Sequence, residues 1–175
     1  METEAETAGQ RLEEAFRGIQ AGRMRGMPLC NPALHVEAVG FTRTEDAVIG
    51  VIITPWAMNL VHLPDAAPFA EGMTGSRDLP RGPVDFVGAR IEGFGAYESC
   101  SLFSPVFHFS GQPVARAVAV ETLALLLQPS SDRSDRTRPA RGNGPVAALR
   151  RNADRGFDRR GFLRGDFFSD DTDSR

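Results

Sequence analysis

"DAVIGVIITPWAMNLVHLP", residues 46–64, decides how the chain is read. Its first half is a continuous apolar run rich in valine and isoleucine, and Pro55 stops it. A second run, "WAMNLVHLP", follows at once and stops at Pro64. β-Branched side chains are stiff at χ1 and pack well on a pleated surface. Two such runs with only a Thr-Pro break between them predict two strands, close in sequence and paired in space. If the second strand starts at Trp56, then Trp56, Met58 and Leu60 share one face, because strand side chains alternate.

The neighbouring segments extend this pattern. Upstream, "ALHVEAVGFTR" (33–43) has β-branched and aromatic residues at strand-like spacing. Downstream, "PVDFVGARIEGFG" (83–95) predicts a strand with a turn, and "YESCSLFSPVFHF" (97–109) a strand as far as Pro105. Residues 65–82, rich in Gly, Ala and Pro, predict a long loop. Helical periodicity brackets the strands. In "GQRLEEAFRGIQAG" (9–22), Leu12, Phe16 and Ile19 fall on one face. In "PVARAVAVETLALLLQ" (113–128), Pro113 sits in the first turn, and Gln128-Pro129 ends the pattern. The order helix, strands, helix predicts an α+β fold with a mainly antiparallel sheet, since strands and helices do not alternate.

The composition changes after residue 128. Residues 1–128 hold 9 Arg against 15 acids, residues 129–165 hold 10 Arg against 4 Asp, and the last ten hold 1 Arg against 4 Asp. The sequence therefore predicts a globular domain over 1–128 and a flexible linker over 129–157. A C-terminal tail with a twin-arginine-like motif follows over 158–175, and the Arg-rich region beyond the domain is expected to be disordered. No run of about 18 apolar residues predicts a membrane span, and "METEAETAGQ" has no export-signal pattern, so a cytoplasmic protein is expected.

Several chemistries are excluded or disfavoured. All 20 basic residues are arginine, which rules out Schiff-base lysines and the phosphate-loop lysine. No nucleophile elbow, H-E-x-x-H or G-x-G-x-x-G motif is present, so no enzyme activity and no catalytic residue are assigned. Cys30 and Cys100 form no C-x-x-C, and His35, His62 and His108 stand alone. Buried thiols and surface imidazoles are expected, with no metal and no cofactor. The acidic body and the absence of a recognisable module argue against nucleic acid as a partner.

Four stretches carry a family resemblance: "PLCNPALHVEAVGF", "GVIITPWAMNLVHLP", "YESCSLFSPVFHF" and the late "RRGFLRG". Together they resemble the HybE/HupJ family of nickel–iron hydrogenase assembly chaperones. The family's T-P-W corresponds to Thr54, Pro55 and Trp56, and its S-C-S-L-x-S-P to Ser99 through Pro105. Ala57 stands where related members more often carry a bulky apolar residue. The resemblance implies a chaperone that holds the small-subunit precursor of an uptake hydrogenase, with its twin-arginine signal, until maturation is complete. The large subunit is the second candidate client. The alternative function is a thiol-dependent accessory role, with Cys30 and Cys100 assisting or protecting metallocentre assembly.

Two sets of binding residues follow. Trp56, Met58, Leu60, Leu102 and Phe103 are expected as apolar anchors for the partner. Arg159, Arg160, Phe162 and Leu163 imitate the signal that a client would carry. They are read as a tethered decoy, effective because a tether raises local concentration; the alternatives are docking elsewhere on the hydrogenase complex and a tail without a role.

Overall fold

A computed structural model describes residues 3–129 of the 175-residue chain. The linker and tail segments expected at 129–157 and 158–175 lie almost wholly outside the described residues. The elements run α1 (Glu4–Ala21), β1 (Glu37–Arg43), β2 (Ala47–Ile53), β3 (Met58–Pro64), β4 (Thr74–Leu79), β5 (Gly82–Ile91), β6 (Gly95–Phe103) and α2 (Gln112–Leu127). All strand pairs of the sheet are antiparallel, in the order β1-β2-β3-β6-β5-β4. The α+β reading holds.

β2 explains its own composition. α1 packs on one face of β1 and β2, and α2 packs on the other. Every residue of β2 is buried, so neither face requires polar side chains. Ile49, Val51 and Ile53 join a cluster with Val118, Ala119, Leu123 and Leu126 of α2. Ile52 joins Leu12 and Phe16 of α1 on the opposite face. Gly40 creates the bend that lets β1 lie under α2. Its φ is +63° at a bulge in the β1–β2 pairing, and a Cβ there would stand 2.7 Å from Leu123 Cδ1.

Three expectations change. α1 begins at Glu4, not at residue 9, because Thr3 caps it. The Thr3 hydroxyl accepts from the Glu6 amide at 3.2 Å, and Glu6 accepts from the Thr3 amide at 2.7 Å. The expected loop over 65–82 contains β4, a polar edge strand "TGSRDL" whose exposed positions are Thr74, Ser76 and Asp78. The strand after Thr-Pro starts at Met58, so Trp56 lies in the preceding turn rather than on the strand.

Candidate functional site

The two loops that carry Cys30 and Phe107 meet the β2–β3 turn at one end of the sheet. Each is shaped by its own short-range chemistry. Thr54 closes the turn: its hydroxyl accepts from the Ala57 amide at 2.9 Å and donates to the Ala57 carbonyl at 2.8 Å. Pro55 and Trp56 fill the two corners. Asn31 shapes the first loop by accepting from the Ala33 amide at 2.9 Å. The Ser104–Pro105 peptide is cis in the second loop.

Asn31 also binds the three segments together. Its amide N–H donates to the Pro55 carbonyl at 2.7 Å. Its side-chain NH₂ donates to the carbonyls of Val106 at 3.0 Å and Phe109 at 2.9 Å. The residue is buried, so these bonds satisfy carbonyls that water cannot reach.

Around this latch the surface is apolar. Met27 and Leu29 are each 41% exposed and Phe107 is 54% exposed. Trp56 is half-buried, with its ring 6.5 Å from that of Phe16. Beside them a hollow of about 410 Å³ is lined by Arg17, Gln20, Ala21, Met24, Arg25, Gly26 and Cys30. The end is therefore an apolar rim with basic lips.

A second cluster lies under the sheet's α2 face. His62 on β3 and Glu98 on β6 are register partners, with His62 Nδ1 2.9 Å from Glu98 Oε2. Arg77 of β4 reaches across β5 and donates to both carboxylate oxygens, at 3.0 and 2.5 Å. The Phe69 amide donates to Glu98 Oε1 at 3.0 Å. The Arg77 guanidinium lies 4.3 Å from the centroid of the Phe69 ring. Burial pushes the Glu98 carboxyl up, but Arg77, the Phe69 amide and His62 together outweigh it, and its pKa is lowered. A carboxylate committed to three partners through four hydrogen bonds is a fastener and has little capacity left as a base. It ties segment 65–73 to the sheet.

A family model described as "[NiFe]-hydrogenase assembly, chaperone, HybE" matches residues 7–165. The chain belongs to the HybE family. It is 40% identical over 169 residues to Protein HoxT of Cupriavidus necator, covering 88% of this chain and 86% of that protein. It is 36% identical over 158 residues to the hydrogenase expression/formation protein HupJ of Bradyrhizobium diazoefficiens, covering 90% of this chain and 87% of that one. The solution structure of HybE from Escherichia coli matches with a TM-score of 0.56, over 77% of this chain and 90% of that one. Identity there is 23%, so that likeness concerns the fold alone. The chain is thus a hydrogenase assembly chaperone.

In this HybE-family chaperone the expected anchors are divided. Met58, Leu60 and Leu102 are fully buried and Phe103 is 5% exposed, all in the cluster under α2. Trp56 packs instead with the α1 cluster. Trp56, Met58 and Leu60 therefore do not share a face, because the strand on which they would alternate begins only at Met58. The side chains that reach the surface at this end, Met27, Leu29 and Phe107, were not singled out by sequence. The available signal was their position beside Pro28 and after Pro105, where loops expose what strands bury. Arg159, Arg160, Phe162 and Leu163 lie outside the described residues.

The other expectations separate similarly. His62 is buried, whereas His35 and His108 reach solvent; the His108 ring packs against Phe103 and Phe109, and this partial desolvation lowers its pKa. Cys30 and Cys100 form no disulfide, and each is half-buried. Cys30 lines the hollow, and Cys100 packs against the α2-side core. Among the described residues no three His, Cys, Asp or Glu side chains gather as a metal site, and no helix is long and apolar enough to cross a membrane.

Proposed function

We propose that this chaperone works in the cytoplasm by holding the hydrogenase small-subunit precursor at the rim around Asn31, through the region of its twin-arginine signal, and so delays export. The supporting observation is the exposure of Met27, Leu29 and Phe107 on loops fixed to the sheet by one buried asparagine. A fixed apolar surface binds without first ordering itself, which lowers the entropic cost. Burying the exposed half of each of these side chains gives roughly 1 kcal/mol, which adds up to a reversible rather than a tight contribution. The part that fits is the apolar stretch of the signal, because Arg17, Arg23 and Arg25 cluster near the same end and repel its arginine pair. Holding a precursor requires no bond to be made or broken, so the function is one of binding without turnover.

Calorimetric titration tests this reading with the cognate small-subunit precursor and its isolated signal peptide. Saturable binding of the precursor, weakened when the signal is deleted, is expected. No binding of either, or binding that is indifferent to the signal, overturns the small-subunit assignment and points to the large subunit.

A further inference from the structure

The hollow at the end of α1 brings Ala21, Met24 and Cys30 together with Arg17 and Arg25, and the chain carries one segment of matching chemistry. Residues 165–175 read "GDFFSDDTDSR": two adjacent phenylalanines among four aspartates. We infer that the segment Asp166–Asp171 docks in this hollow, with Phe167 and Phe168 against Ala21, Met24 and Cys30 and its aspartates against Arg17 and Arg25.

Three observations carry this. The first is shape: about 410 Å³ falls within the range of small-ligand sites, so it can take an aromatic side chain. The second is charge. Arg25 lines the hollow with Arg17, which it shares with the i−4 residue Glu13. These cations favour the aspartates of 166–173 over the ten arginines of 129–165. The arginine pair Arg159–Arg160, expected as a decoy, thus meets like charge here, and the acidic segment just after it does not.

The third is reach. α2 begins at this end of the sheet, where Gln112 accepts from the His35 amide at 3.0 Å and donates to Glu37 at 2.6 Å. It ends at Leu127, beside the β4–β5 turn, where the Arg81 amide donates to the Leu126 carbonyl at 3.2 Å. Sixteen helical residues span about 24 Å. About 37 residues separate Pro129 from Phe167, and a coil of that length spans roughly 34 Å on average. The hollow lies on the α1 face, so the path adds the thickness of the sheet to this helical span, and a tether of about 34 Å is long enough to bring the segment there at an effective concentration on the order of millimolar.

Docking covers the hollow beside the rim, so the segment competes with a client. The inference itself needs no client and holds or fails independently of which one binds. Its reporter is Cys30, which lines the hollow, with Cys100 as internal reference. Both thiols of the full chain are alkylated with N-ethylmaleimide and their rates read separately by peptide mass spectrometry. The double variant Phe167→Ser/Phe168→Ser is expected to raise the Cys30 rate at least five-fold and leave Cys100 unchanged. Arg17→Glu/Arg25→Glu is expected to do the same. Adding free peptide 165–175 to the phenylalanine variant restores the slow rate. Equal Cys30 rates in wild type and the phenylalanine variant overturn the proposal. So does a Cys30 rate raised by Arg159→Ala/Arg160→Ala but not by the phenylalanine variant, which assigns the hollow to the arginine pair. Protection that grows with protein concentration overturns the same-chain assignment in favour of a second copy.

Discussion

Glu98 is the costliest residue in the domain to place, because it is a fully buried carboxylate. Its stability follows from Arg77, His62 and the Phe69 amide, and removing its charge leaves Arg77 with nothing to neutralise it. Glu98→Gln is expected to lower unfolding free energy by about 2–3 kcal/mol, measured by urea denaturation. This is at or below the low end for a broken buried pair, because Arg77 keeps some contact with water. The pH dependence follows from the lowered pKa. Above the ordinary carboxylate value of 4.5 both folded and unfolded Glu98 are charged, and its stabilisation is fully present. As pH falls below 4.5 the unfolded state takes up the proton first, so stability drops until the folded pKa is passed. In Glu98→Gln this part of the acid-side loss disappears. Asn31→Ala is a second residue test. It removes the side-chain donor that ties the Val106 and Phe109 carbonyls to the first loop and is expected to cost about 1–3 kcal/mol, with loss of client binding beyond what the lower stability explains.

At the level of elements, the fold was legible wherever burial came from the sheet itself. β2 and β3 were readable because continuous apolar runs are what a doubly covered strand requires. β4 was not readable. Thr74, Ser76 and Asp78 face solvent, and the opposite face packs on a loop, with Gly75 and Arg77 where a core strand would have Val or Ile. The Glu98 cluster was hidden for the same reason, since its arginine came from a segment read as loop. The glycines on β4 and β5 make room for that loop. A Cβ at Gly88 would stand 2.2 Å from the Phe69 carbonyl oxygen and 2.3 Å from that of Ala70. Neither oxygen belongs to a flexible side chain that could turn aside. Gly88→Ala is therefore expected to detach segment 69–73 and cost about 2–3 kcal/mol. Amide hydrogen exchange would show it first at Gly88, whose N–H donates to the Met73 carbonyl at 2.8 Å, and at Gly72, whose N–H donates to the Gly88 carbonyl at 2.9 Å. Exchange unchanged at both amides would mean that the strap is held elsewhere.

The whole molecule separates buried from exposed apolar side chains, and sequence composition does not show that separation. Met58, Leu60 and Leu102 lie in stretches that mark the family, yet they face α2; Met27, Leu29 and Phe107 lie on the loops those strands hold in place. Which side of a strand a helix covers is decided by topology, and apolar composition is the same on both sides. The two roles give opposite experimental signatures. Leu60→Ala opens a cavity in the core and is expected to cost about 2–5 kcal/mol of stability. Precursor affinity should then fall only as far as the folded population falls. Met27→Ser/Phe107→Ser removes side chains that are about half exposed and lie outside both core clusters, so stability should fall by no more than about 1 kcal/mol. Affinity should drop by at least ten-fold, because two anchors at the rim each contribute more than about 1 kcal/mol when buried against a partner. Urea denaturation and calorimetric titration of the same three proteins distinguish the cases. If the rim variant binds as wild type while Leu60→Ala loses affinity beyond its unfolded fraction, the client contacts the strand layer, and the loops around Asn31 serve only to close the end of the sheet.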